Sequence, residues 1–221
     1  GGIPTPKPLV TVGGMSLMER TLRGLVAAGV DEITFIVNEH MVEVVEHCQR
    51  LSLGIPLHPV IRTTESSMHS LYHLGQHLSG ERFVLCTVDS ILLPTELEGF
   101  VQCFASQREV GLLLAYTDFV DDEKPLRIAI GEGSEVQSIG PQAESSPFVT
   151  AGLYGMSPEI FGVLEGAVRS GLQRLRNFLG LLLERGILAR GYRLTKAVDV
   201  DRPEDIEVAQ RFLLDHQQGD S

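Results

Sequence analysis

Three aspartates occupy places in this chain where a carboxylate can do chemistry. Asp89 closes the apolar run Phe83 to Val88, and Asp199 and Asp201 flank Val200 behind a second run of strand character. Alternation along an extended strand turns both members of the second pair to one side. Carboxylates at strand ends can supply oxygen ligands to Mg2+, which takes one or two of them together with phosphates and water. If the two strand ends are neighbours, the three aspartates form a site for a metal-bound phosphate. The competing uses are local: Asp89 can cap the turn that follows it, and Asp201, two residues before Pro203, can cap a helix start.

A cation with a restrained backbone lies near the start. Lys7 sits inside Pro6-Lys7-Pro8, and proline on either side limits where the lysine can point. His69, His73 and His77 recur every four residues and so share one helix face, but they lack the glutamate of a zinc helix motif. A polar helix face is the plainer reading. His69 begins its helix beside Thr63 to Ser67, where Ser66, Ser67 and the first-turn N–H groups suit a base, sugar or phosphate, or simply cap the helix. Arg174, Arg176 and Asn177 add a local basic group that could face a phosphate or pair with surface carboxylates.

These side chains need a scaffold, and the hydrophobic rhythm supplies it. Helical patterns at Ser16–Ala28, Met41–Leu51 and Ser67–Leu78 alternate with buried-strand runs at Ile33–Val37, Leu57–Ile61 and from Phe83. This alternation predicts βαβ units. A helix over about 95–106 and a strand over 110–116 follow. Short alternating segments at 126–130 and 135–139, joined by Gly131-Glu132-Gly133-Ser134, predict a hairpin excursion. The chain then resumes with a strand at Phe148–Met156 whose Gly152 marks a bulge or a close approach. Two helices, about 158–168 and 172–184, a last strand at Tyr192–Val198 and a helix from Pro203 complete the pattern. The expected fold is α/β: a Rossmann-like, mostly parallel mixed sheet flanked by helices, in one domain over residues 1–221.

Composition narrows the function classes. A net charge of -11 argues against nucleic acid and anionic membranes as partners. No apolar run approaches the roughly 18 residues of a membrane span. Cys48, Cys86 and Cys103 lack paired spacing, which suits buried thiols in a reducing compartment; with no signal peptide visible, the expectation is cytoplasmic. A homo-oligomer is compatible with all of this.

The segments PKPLVTVGGMSLMER, SSMHSL, LCTVDSILLP, TAGLYGMSPEIF and AVDVDRPEDIEVA fall in an order that resembles the sugar-phosphate nucleotidyltransferases of the NTP-transferase superfamily. That resemblance implies Mg2+-dependent joining of a nucleoside triphosphate to a sugar 1-phosphate or similar acceptor, with release of pyrophosphate. By it, Lys7 matches the lysine on substrate phosphates and Asp89 the metal aspartate. Asp199 matches the second metal aspartate if the ending is read like WxDxGxP, and Asp201 if it is read like VDTPED. Ser66, Ser67 and His69 lie where relatives contact base and sugar, although Gly-Thr is missing there. Gly152 matches the glycine that lines the sugar pocket. Glu123-Lys124-Pro125 shares three letters with a tripeptide of such enzymes but precedes the hairpin instead of following it, and carries no weight.

Relatives open with a strand and a glycine-rich loop of the LAAGxGxR type that holds the triphosphate, and the expectation is that residues 1–221 lack both. Two other functions compete with nucleotidyl transfer. A GT-A glycosyltransferase would use a nucleotide sugar and release no pyrophosphate, and a regulatory homologue would bind a nucleotide sugar without turnover.

Overall fold

The structure is a computed structural model that describes residues 5–78, 80–120 and 125–217. Lys7–Leu9 forms a single 3-10 turn. A small hairpin follows, β1 (Thr11–Val12) and β2 (Met15–Ser16), closed by Gly13 and Gly14 at φ 59° and 81°. Two consecutive positive φ values make the turn whose twist matches the flanking strands, and glycine reaches them without strain. This hairpin is absent from the sequence-based expectation. Next come α1 (Leu17–Ala27), β3 (Ile33–Val37), α2 (Val42–Gln49), β4 (Leu57–Ile61), α3 (Ser67–Gly75) and β5 (Phe83–Cys86). Then follow β6 (Ser90–Ile91), α4 (Pro94–Ser106), β7 (Leu112–Thr117), the hairpin β8 (Ile128–Ile130) and β9 (Val136–Ile139), and β10 (Val149–Met156). The chain closes with α5 (Ile160–Arg169), α6 (Leu175–Glu184), β11 (Ala189–Arg193), β12 (Val198–Asp199) and α7 (Pro203–Gln217).

The principal sheet has the order β11-β7-β10-β5. β10 runs antiparallel to both β5 and β7, while β11 runs parallel to β7, so β5, β7 and β11 share one direction and β10 alone opposes it. β3 and β4 form a separate parallel pair. The mixed α/β sheet and the hairpin excursion are as expected. The expected last strand over 192–198 is instead two strands. β11 ends after Arg193, Leu194 still bonds Tyr116, and the chain then leaves the sheet so that Val198 and Asp199 pair with Ile91 and Ser90.

Strand β7 shows why this sheet must be covered on both faces. Leu113 and Ala115 face one apolar cluster with Met18, Leu22, Phe35, Val44, Phe100 and Phe104. Leu112, Leu114 and Tyr116 face another with Leu71, Ile160, Leu164, Phe178 and Leu182. Period-two alternation of apolar side chains thus builds two cores, with α1, α2 and α4 on one side and α3, α5 and α6 on the other. A Leu114→Ala change would cost about 2–5 kcal/mol, the usual range for emptying such a site.

A third cluster positions the chemistry. Val10, Val12, Leu17, Ile91, Val198, Val200 and Phe212 pack together, which pins the segment after Lys7 against β6, β12 and α7. Arg20 braces it by donating to the carbonyl of Val12 at 2.6 Å. α1 starts on a sound cap, with Ser16 Oγ accepting from the Glu19 N–H at 3.1 Å.

Among the described residues no strand lies between β3 and β5. In β3, Ile33 donates to Pro56 and Val37 accepts from Arg62, so the backbone groups of Thr34 and Ile36 point away from β4. In β5, Thr87 donates to Gly152, which turns the backbone groups of Val84 and Cys86 away from β10. The cavity between these edges has a volume of about 870 Å3 and is lined by all of β3 and β5, with Pro8 at its border.

Candidate active site

The start of β6 and the end of β12 meet at the site. The ladder pairs Val198 with Ile91 and Asp199 with Ser90, and the Val200 N–H continues it by donating to the carbonyl of Asp89 at 3.0 Å. Asp89 and Asp201, 112 positions apart in the numbering, therefore stand at one edge of the fold. Lys7 reaches both: its ammonium donates to Asp89 Oδ2 at 3.1 Å and to Asp201 Oδ1. Burial alone would lower the Lys7 ammonium, but Asp201 and Asp89 outweigh it and hold its pKa above the ordinary lysine value. The side chains of Lys7, Asp89 and Asp201 keep 37%, 30% and 54% of their exposure. At such exposure an ion pair contributes at most about 1 kcal/mol, so the cluster can rearrange around an incoming ligand at little cost.

Asp199 is placed differently. Its Oδ1 accepts from Ser90 Oγ, and Ser90 lies 3.3 Å from Thr87 Oγ1. Asp205, not Asp201, caps the start of α7, with its Oδ2 accepting from the N–H groups of Asp201 and Arg202 at 2.9 and 2.7 Å.

Gly152 explains how the hydroxyls come so close to β10. It has φ 67° and lies where the β10 register against β7 shifts, between Thr150 and Tyr154. A Cβ there would stand 2.6 Å from Ser90 Oγ and against Thr87 Oγ1. The bulge bends β10 around those two side chains.

These groups line a cavity of about 310 Å3 that holds Asp89, Asp199, Asp201, Thr150, Tyr154 and Arg176 on its walls. Tyr154 is buried. Burial pushes its hydroxyl up, Thr150 opposes this through a hydrogen bond, Asp199 and Asp89 push further up, and Arg176 pulls down.

The residues at the start of α3 are only partly drawn in. Ser67 borders both cavities. Ser66 caps the helix, its Oγ 3.0 Å from His69 Nδ1, and His69 Nε2 stands 4.0 Å from Glu65. His73 packs edge-on against Tyr72. Glu123 and Lys124 lie outside the described residues. Sequence reasoning passed over Ser90, Thr87, Thr150 and Tyr154, although the glycine inside a strand pattern at 152 marked the place where they converge.

Among the described residues no helix is long and apolar enough to cross a membrane. Comparison with known proteins agrees with this architecture. The chain is 28% identical over 228 aligned positions to the bifunctional IPC transferase and DIPP synthase of Rubrobacter xylanophilus, covering 95% of the chain and 48% of that protein. It is 27% identical to the protein of the same name from Thermococcus kodakarensis, covering 95% of the chain and 47% of that protein. The chain thus spans about half the length of these curated relatives. The fold is that of the solved inositol-1-phosphate CTP transferase of T. maritima, with TM-score 0.79, 20% identity and coverage of 94% of this chain and 87% of that one. It is also that of a Bacillus anthracis structure assigned as a glucose-1-phosphate thymidylyltransferase, with TM-score 0.81, 18% identity and coverage of 94% and 86%. Residues 1–126, more than half of the chain, match the family model, and the chain belongs to the MobA-like NTP transferase domain family of the nucleotidyltransferase superfamily.

Proposed function

We propose that the protein transfers a nucleotidyl group from a nucleoside triphosphate to a sugar 1-phosphate or similar phosphorylated polyol, with release of pyrophosphate. The observation that carries this reading is the placement of Lys7 between Asp89 and Asp201 at a cavity lined with hydroxyls. An acceptor phosphate oxygen attacks the α-phosphorus in line; the new P–O bond forms as the bond to the bridging oxygen of the β-phosphate breaks, and pyrophosphate leaves. Lys7 supplies positive charge where the phosphate oxygens accumulate negative charge.

Two carboxylates that share one ammonium are close enough to share one small cation, and both are hard oxygen donors, so Asp89 and Asp201 fit Mg2+. Among the described residues no three His, Cys, Asp or Glu side chains converge as a metal cage, which leaves the other ligand positions to phosphate oxygens and water. When bound, the ion would neutralise and orient the two reacting phosphates. Asp199 serves the site through Ser90. Ser67 stands where base or sugar would enter, and Ser66 and His69 hold the start of α3.

The open edges of β3 and β5 support a related proposal: the slot between them takes one more β-strand, and the loop leaving that strand would hold the triphosphate beside Asp89. The test of the reaction is a pyrophosphate-release screen of nucleoside triphosphates against glucose 1-phosphate, inositol 1-phosphate and choline phosphate. Pyrophosphate in equal amount to a new nucleotide diphosphate ester is the expected result. Nucleoside diphosphate release from a nucleotide sugar, without pyrophosphate, would replace the proposal with glycosyl transfer.

A further inference from the structure

The lining of the 310 Å3 cavity carries both signs of charge. Asp89, Asp199 and Asp201 lie on the strand-end side, and among the described lining residues Arg176 is the basic one. Arg176 stands in the first turn of α6, a helix held in place by the buried Phe178, Leu179 and Leu182. Leu179 lines the same cavity, so the helix that carries the guanidinium is fixed to the cavity wall. Tyr154 lines the same cavity and lies within electrostatic reach of Asp199, Asp89 and Arg176.

An acceptor phosphate entering here meets three carboxylates in a protein of net charge -11. A planar guanidinium matches two phosphate oxygens at once, which an ammonium cannot do. We infer that Arg176 receives the acceptor's phosphate, holding two of its oxygens and leaving the third for attack, while the hydroxyls of Ser90, Thr150 and Tyr154 face the polyol body. This assignment rests on the nucleotidyl-transfer reading above and adds to it a residue that selects phosphorylated acceptors.

The test is calorimetric titration of wild type, Arg176→Gln and Arg176→Lys with glucose 1-phosphate, inositol 1-phosphate, inorganic phosphate and a nucleoside triphosphate. Losing a hydrogen-bonded charge should weaken sugar-phosphate binding roughly ten- to hundredfold in the Gln variant. The Lys variant should fall between, and triphosphate affinity should stay within about twofold, because Arg176 faces the acceptor. Arg176 is exposed, and exposed polar contacts contribute little to stability, so the melting temperature should move little. Unchanged sugar-phosphate affinity in Arg176→Gln, an equal loss for the triphosphate, or a wild-type protein that binds none of the three phosphates would overturn the assignment. Sugar-phosphate binding that depends on Arg176, without any pyrophosphate release by wild type, would uphold the arginine's role and refute the reaction.

Discussion

The Lys7 ammonium stands 3.1 Å from Asp89 Oδ2, although 82 positions separate the two residues. The contact depends on the packing of Val10 and Val12 against Ile91, Val198 and Val200, which brings the amino-terminal segment to the strand ends. The apolar cluster therefore has a functional consequence, because it fixes one cation between two carboxylates that would otherwise repel each other.

The two candidate partners of Asp89 should separate on mutation. Asp201 shares Lys7 with Asp89, whereas Asp199 holds Ser90. A carboxylate charge at contact distance from a cation is worth roughly 1–4 kcal/mol between bulk water and a near-surface site. Asp201→Asn should therefore raise the Mg2+ concentration needed for half-maximal turnover at least about tenfold. Asp199→Asn should leave that requirement nearly unchanged and act on the acceptor KM. A metal titration of both variants checks this, and the reverse pattern would make Asp199 the ligand.

Gly152→Ala should damage both stability and activity. The substitution forces a side chain onto a φ of 67° and drives its Cβ to 2.6 Å from Ser90 Oγ. A cost of about 1–3 kcal/mol is expected from the backbone conformation alone, read as a lower denaturant midpoint. Displacement of Ser90 should also lower turnover by more than a remote mutation of equal destabilisation does.

The fold was legible where periodicity carries it. The runs ITFIV and LHPVI are strands in the structure, whereas the run Phe83 to Val88 is a strand only through Cys86, so Asp89 lies in the connection to β6 and not directly at the strand end. The β1–β2 turn was hidden because Gly13-Gly14 is flanked by only two strand residues on each side, too few to show alternation. β11 and β12 merged into one expectation because Leu194 and Ala197 extend the apolar pattern through the bend, and nothing local records that the strand changes partners. The site was legible as residue types, but the distinct placements of Asp199 and Asp201 were not. Strand alternation puts both on one side; the long-range contacts to Ser90 and Lys7 are what separate them.

Acid should weaken the fold in part through His73. Burial, with Arg62 adding to it, holds the imidazole below its ordinary value, so the unfolded chain binds this proton more readily than the folded one. The contribution is fully present above the unfolded pKa, near 6.5, and is lost as pH falls from there toward the folded value. Denaturant midpoints measured from pH 8 to pH 5 should fall more steeply for wild type than for His73→Gln, which cannot titrate. Parallel curves would remove His73 from the account.

Amide exchange reports on the slot. The N–H groups of Thr34, Ile36, Val84 and Cys86 face the cavity, while Phe35 and Leu85 face paired neighbours. The first four should exchange much faster than the other two. Pairing with a further strand should protect all four together; equal protection of all six in the described chain would contradict an open slot.

Turnover of Asp89→Asn across a Mg2+ titration tests the central claim most directly. Asp89 touches Lys7, borders the hydroxyl-lined cavity and is linked through its backbone to Val200. The account predicts that pyrophosphate release falls at least about a hundredfold, as expected when a buried or metal-facing charge is removed from a phosphoryl-transfer site, and that excess Mg2+ restores little of it. Wild-type rates with an unchanged Mg2+ dependence would show that the chemistry lies elsewhere.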